Sequence, residues 1–306
     1  ISNLCTESGN YKGLFGYIYA RDNAASIHDL SIVGADVRGI SSVGGLVGYT
    51  NGTISIYNCS YSGEISATSN YVGGLVGNAY SGTLSITNCS NLGSSVSGNG
   101  GVGGIVGYIQ NYITSANISN CLNLSDVDPS GTATSYLGGI VGRSNEYAII
   151  TECINEGGVF NASFPSSYTS YIGGIVGYNY MGTVSNCWNR GGVYTHGNSS
   201  SYRQYYGGIA GYNAGTILNC RNSATVYRTA LHTNTNIRGG GIAGSSSGLI
   251  SMCYNEGRVY VVASVSGGSD FCNIGGIVGY GDSVTITNCY NKGYVGFDYN
   301  DSRTAT

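Results

Sequence analysis

The sequence predicts an all-β fold: a right-handed parallel β-helix (solenoid) of about nine coils, each roughly 29–36 residues long. Three observations predict it. A glycine word recurs at nearly constant spacing, one cysteine follows each full copy, and the composition favours strands. The word Gly-Gly-[Leu/Ile]-[Val/Ala]-Gly begins at Gly44, Gly73, Gly103, Gly138, Gly173, Gly207, Gly240 and Gly275, in steps of 29, 30, 35, 35, 34, 33 and 35 residues. A degenerate copy, Gly13-Leu14-Phe15-Gly16, precedes them and makes nine units. Tetratricopeptide and ankyrin arrays also repeat at this length. Those need helix formers at 3.6 spacing, whereas Gly, Ser, Thr, Tyr and β-branched residues dominate here, so helical solenoids are excluded.

Alignment on the cysteine resolves the elements of one coil in order. Three residues before it stand Ile56, Ile86, Ile118, Ile150, Val184, Ile217, Ile250 and Ile286. The cysteines themselves are Cys59, Cys89, Cys121, Cys153, Cys187, Cys220, Cys253 and Cys289. Two residues later come Asn91, Asn123, Asn155, Asn189, Asn222, Asn255 and Asn291, with Tyr61 as the exception. Six residues after the cysteine stand Ile65, Val127, Val159, Val193, Val226, Val259 and Val295, with Ser95 beside Val96 in the remaining copy. The coil therefore reads as three short strands, with an asparagine-containing bend between the second and third. "GTVSNC" and "GTISIYNC" differ by two residues, which preserves the facing of a strand where one residue would invert it.

In a stack of such coils each column becomes a ladder. The cysteines are read as an inward ladder of small apolar side chains, and the asparagines as amides hydrogen-bonded along the stack. Leu30 takes the cysteine position in the first coil (Ile27-His28-Asp29-Leu30), which suits packing and not ligation. Residues 1–42 form a degenerate N-terminal capping coil, 43–296 the repeat, and 297–306 a tail or the start of a following segment. The chain opens at Ile1 without an initiator Met, so a mature protein or a fragment of a longer one is expected.

Composition narrows the function classes. Only 9% of residues are charged, with 12 Lys and Arg and a net charge of -3, so no nucleic-acid partner is expected. No run approaches the ~20 apolar residues of a membrane span. Tyrosine supplies 28 of the aromatics against 5 Phe and 1 Trp, a choice suited to half-exposed sheet positions. Together with the polar, glycine-rich remainder, this reads as extracellular.

The chemical alternatives are few. Zinc sites pair Cys or His two to four residues apart, whereas these cysteines lie about 30 apart, so no metal site or cofactor is expected. In-register side chains also point the same way, which suits disulfide torsions poorly. Gly239–Gly244 fits G-x-G-x-x-G and Gly244–Gly248 fits G-x-S-x-G, but both lie inside one copy of the glycine repeat and lack the strand-to-helix setting. A carbohydrate-active β-helix enzyme needs convergent carboxylates. The candidates are Asp126, Asp128, Glu152, Glu156 and Glu256. Glu156 should abut Arg190 and Glu256 should abut Lys292 as surface ion pairs, so no catalytic residue is assigned.

Binding has more support. The column after each cysteine runs Leu122, Ile154, Trp188, Arg221, Tyr254 and Tyr290, with Trp188 over Arg221 as an expected cation–π pair. A second column after the glycine word contains Tyr49, Tyr108, Tyr178, Tyr212 and Tyr280. The candidate binding residues are Trp188, Arg221, Tyr254, Tyr290, Tyr178 and Tyr212. Loops at 128–135, 160–170, 195–204, 228–236 and 260–272 gather on one side, the usual carriers of specificity in a solenoid.

The glycine word followed by a turn, Asn-Cys and Asn-x-Gly resembles the GLUG motif, most clearly in "GGIVGYNYMGTVSNCWNRGGV" (173–193) and "GGIVGYGDSVTITNCYNKGYV" (275–295). The resemblance covers about 44–296. It implies a surface-exposed repeat module of the kind found on large bacterial proteins, among them adhesin-like proteins and the non-catalytic regions of some immunoglobulin A1 metallopeptidases. The expectation is a non-enzymatic adhesion or spacer module on a bacterial surface, or secreted, that binds a host glycan or protein. A polysaccharide lyase or hydrolase is the alternative, and end-to-end self-association into filaments a third reading.

Overall fold

A computed structural model describes residues 1–129, 135–161, 169–197, 203–230, 237–263 and 272–299. Every regular element among them is a strand, and no helix is long and apolar enough to cross a membrane. The strands form two parallel sheets of 14 and 23 strands, stacked as a β-solenoid. Nine levels stack in the smaller sheet, from Phe15–His28 to Thr285–Thr287, so eight full turns separate first from last.

One turn shows how the sequence makes the coil. Ser170–Gly173 belongs to the larger sheet. The chain turns at Gly174-Ile175 and runs through the smaller sheet as Val176–Asn179 and Thr183–Ser185. It re-enters the larger sheet as Trp188–Asn189 and Val193–Gly197. Each of these strands pairs in register with its counterparts on neighbouring turns, as in Val184↔Ile217 and Trp188↔Arg221. The two-residue length difference is absorbed without inverting any face. Early levels keep one unbroken strand (Val106–Ser119), later ones split it (Val141–Ser144, Ala148–Thr151), and Ile118 still pairs with Ile150.

The core is the sum of the columns. Ile150, Val184, Ile217 and Ile250 are fully buried, as are Val159, Val193, Val226 and Val259. Both apolar residues of the glycine word face inward, as Ile140 and Val141 do, because the corner lies between them. In the one irregular copy Val96, not Ser95, takes the column, pairing with Ile65 and Val127.

The bend differs from the sequence reading. The left-handed residue precedes the cysteine: Asn58, Asn88, Asn120, Glu152, Asn186, Asn219, Met252 and Asn288 have φ of 50–55°. Asparagine tolerates that region best, and six of the eight are asparagine. The asparagine after the cysteine is instead extended, and its side chain turns inward. The expected boundary at 296 falls inside Val295–Tyr299, which pairs with Val259–Ala263; residues 300–306 lie outside the described residues.

Candidate ligand-facing surface and its ladders

Two inward ladders define what the interior does. The Cys59, Cys89, Cys121, Cys153, Cys187, Cys220 and Cys253 side chains are buried, Cys289 is partly exposed on the last level, and all are free thiols. Each thiol donates to a backbone carbonyl, as Cys187 does to Ser185 O at 3.2 Å. Burial pushes the Cys89 thiol up to about 12, and those of Cys187 and Cys220 in the same direction. A neutral thiol in an apolar column is unreactive.

Beside it runs the amide ladder. Asn91, Asn123, Asn155, Asn189, Asn222 and Asn255 each donate to the next amide oxygen, at 3.1, 2.8, 2.9, 2.9, 2.8 and 2.7 Å, ending on Asn291. The second hydrogen of each amide reaches a backbone carbonyl, for Asn189 that of Gly191 at 2.9 Å. This ladder explains the glycine pair. A Cβ on Gly174 would lie 2.2 Å from Asn189 Cγ and 2.2 Å from Gly208 O. Tyr61 ends the amide column by filling the same space, its hydroxyl donating to Glu64 O at 2.9 Å.

The outer column after the cysteine is an ion-pair strip. The Arg221 guanidinium carbon lies 4.5 Å from the Trp188 ring centroid, and that of Arg190 only 3.5 Å. The indole N–H donates to Ser223 Oγ at 2.9 Å. Arg190 pairs with Glu156 at 2.7 Å. Glu256 accepts from Arg221 Nε at 2.9 Å rather than from Lys292, because the pair forms toward the preceding level. Trp188 and Arg221 are therefore occupied by each other and their neighbours. Tyr254 and Tyr290, 47% and 53% exposed and 6.4 Å apart, remain open at one end of the strip.

Tyr178 and Tyr212 belong to a tyrosine lattice across the glycine corner. They stack at 5.0 Å, while Tyr136, Tyr171 and Tyr205 form a parallel stack at 5.5 and 5.0 Å on the adjoining strand. The two stacks interlock edge to face, Tyr171 meeting Tyr178 at 4.9 Å and 87°. Arg143 lies 5.0–5.5 Å from Tyr108, Tyr136 and Tyr178, and Arg238 caps Tyr280 at 3.5 Å. Burial pushes the Tyr171 and Tyr178 phenols up. The second stack was legible as a tyrosine two residues before the glycine word.

A third feature was not singled out from the sequence. One residue after the valine column stand Phe160, Tyr194, Tyr227 and Tyr260, in register across four levels. Their centroids are 5.1, 4.8 and 5.3 Å apart. With His196 and Thr225 they line a groove of about 550 Å³. The Phe160 and Tyr194 rings lie over the glycine two places before them: a Cβ on Gly158 would fall 2.4 Å from Phe160 Cε2, and one on Gly192 2.0 Å from the Tyr194 hydroxyl. Thr225 and Arg258 hold that place before Tyr227 and Tyr260, and the Tyr227 ring meets Tyr194 edge to face at 65°. His196 Nδ1 meets Thr229 Oγ1 at the groove's edge. The aromatic strands lead directly to the chain at 162–168, 198–202, 231–236 and 264–271. Half or more of each expected specificity loop therefore lies outside the described residues.

Among the described residues no group of three or more His, Cys, Asp or Glu is placed to hold a metal ion. Of the candidate carboxylates, Glu156 and Glu256 are ion-paired on the surface, and Asp126 accepts the Gly158 N–H at 2.8 Å.

The model of one family, described as the GLUG motif, matches residues 202–227, from just before one glycine word to just past the following valine. Residues 202–227 carry a GLUG motif. The matched stretch covers most of one turn of the solenoid, and its columns continue in register through the turns on either side. No curated protein matches the chain. A solved structure similar to it is named "putative immunoglobulin A1 protease" from Bacteroides ovatus. The match has 16% identity and a TM-score of 0.39, over 96% of this chain and 66% of that one.

Proposed function

We propose that this GLUG-repeat solenoid is a non-catalytic binding module of a bacterial surface or secreted protein, and that it holds a glycan along the Phe160–Tyr194–Tyr227–Tyr260 groove. The carrying observation is that ladder. Four rings in register, 4.8–5.3 Å apart, present a repeating apolar surface with polar edges in a groove of about 550 Å³. Sugar rings offer apolar C–H faces and hydroxyl rims, and a linear glycan repeats on a similar length scale, so successive sugars meet successive tyrosines. His196 and Thr225 supply hydrogen bonds at the rim. A rigid stack preorganises the aromatic rungs, which lowers the cost of ordering them on binding. Low charge and abundant tyrosine fit an extracellular setting.

The experiment is a glycan array read for retention, together with an activity screen on the same polysaccharides. Retention without cleavage, lost at least tenfold in Tyr227→Ala while the circular dichroism spectrum is unchanged, is the expected result. Cleavage of any retained glycan would overturn the non-catalytic reading. Retention unaffected by Tyr227→Ala and Tyr194→Ala would move the site elsewhere.

A further inference from the structure

Arg228 is the largest fully buried side chain among the described residues, with 1% of its surface exposed. It stands on an inward column of the larger sheet, between Thr195 on one level and Val261 on the next. Neither neighbour is charged. Nε and Nη1 of its guanidinium have no hydrogen-bond partner among the described residues. A second orphan lies beside it. The Tyr206 ring is fully buried, and its hydroxyl also has no partner. That ring leans over the next level, where Gly239 leaves room for it: a Cβ on Gly239 would lie 2.6 Å from the hydroxyl oxygen. Arg228 and Gly239 belong to the same turn, so phenol and guanidinium converge on one layer of the interior. They are close enough for their charges to interact, with the Cys272 thiol nearby and no carboxylate of the described residues beside them.

Packing does not ask for arginine here. The adjacent level fills the same column with Val261, 2% exposed. An uncompensated guanidinium in such a place costs far more than an apolar residue of like size. Arginine offers donors and no acceptor, and a phenol can donate as well. Two unmet donors that converge in a dry layer select a negative charge over a cation or a neutral sugar.

We propose that the solenoid interior binds one small anion, a halide or a compact oxyanion or carboxylate, between the Arg228 guanidinium and the Tyr206 hydroxyl. The anion neutralises the buried charge and ties two adjacent turns together. This site is separate from the outer aromatic groove and does not depend on glycan binding there.

The test uses the full chain. Its melting temperature is measured at constant ionic strength while a bulky organic sulfonate is replaced by chloride, acetate or phosphate. These three probes distinguish a halide from a carboxylate or phosphate ligand. At least one should raise the melting temperature saturably, by on the order of 5 °C. Arg228→Met should show no such rise, and in sulfonate should melt at or above the wild type, because it removes an unpaired charge. Tyr206→Phe should raise the half-saturating concentration about tenfold or more. Crystals grown with bromide, acetate or phosphate should show, for at least one of them, the anion in contact with Arg228, as an anomalous peak in the case of bromide. Parallel responses of wild type and Arg228→Met, or water alone at that position in all three crystals, would overturn the proposal. Should Arg228→Met fail to fold, the three wild-type crystals decide.

Discussion

Asn189 is the sharpest place to test how the turns are held together. Its amide donates to Gly191 O and Asn222 Oδ1, both at 2.9 Å, and accepts from Asn155 Nδ2 at 2.9 Å, all in a fully buried column. In Asn189→Ala the Asn155 donor toward this level and the Gly191 carbonyl both lose their partner. Asn222 Oδ1 still accepts the Ala224 N–H at 3.3 Å and suffers less. One orphaned buried donor, one orphaned carbonyl, one weakened acceptor and the space of an amide together predict a loss of about 3–5 kcal/mol. Asn189→Asp keeps the volume but turns an oxygen toward two oxygens, so it should cost at least as much. The control is Asn186→Gly. Asn186 also accepts from an in-register amide, Asn219 Nδ2 at 2.7 Å, but it is exposed, and glycine keeps its φ of 53° at no strain. That change should cost less than about 1 kcal/mol. Urea unfolding followed by Trp188 fluorescence reads the correct level, since Trp188 is the single tryptophan and adjoins Asn189. A mild Asn189→Asp beside a severe Asn189→Ala would show that packing, not the amide ladder, carries the column. Equal costs for Asn186→Gly and Asn189→Ala would refute the reasoning altogether.

Two further outcomes are expected. Gly174→Ala should destabilise the chain by about 3 kcal/mol or more, because its Cβ would meet an amide carbon and a backbone carbonyl at 2.2 Å and neither can retreat within a stack; a variant as stable as the wild type by the same urea titration would contradict the glycine-on-amide packing. The cysteine column should make stability fall on the alkaline side. The folded Cys89, Cys187 and Cys220 thiols hold their protons while unfolded ones lose theirs above about pH 9, so this stabilisation is complete below pH 8. It declines as pH rises from 9 towards the Cys89 value of about 12. Thiol titration at pH 8 should find the column unreactive until denaturant is added, and then ten free thiols without reductant. Four or more disulfides in denatured, non-reduced protein would refute the ladder.

The architecture was legible because repetition turns a weak local signal into a strong one. Eight cysteines at one position of eight copies, with β-branched residues three before, require a stack in which columns coincide. A residue such as Tyr61 or Leu30 that departs from its column then reads as a packing substitute. The inward amide ladder follows from the same logic, since a polar side chain repeated on an inward column must bond to its own copies. The aromatic groove was present in the letters too, as Phe160, Tyr194, Tyr227 and Tyr260 one place after each valine. What concealed it was orientation, because column membership does not tell whether a ring stands outward or lies over a glycine.

Period, register and the identity of the columns were thus determined by the sequence alone, because in-register stacking leaves one solution that keeps every apolar column inside. Only the tertiary structure decided where the bend sits, that the glycines yield to an amide, that Glu256 reaches back to Arg221, and that Arg228 faces inward. Each of these depends on the path of the chain between columns and on contacts between turns about thirty residues apart. Strand periodicity does not encode such contacts; they exist only once the turns are laid on one another.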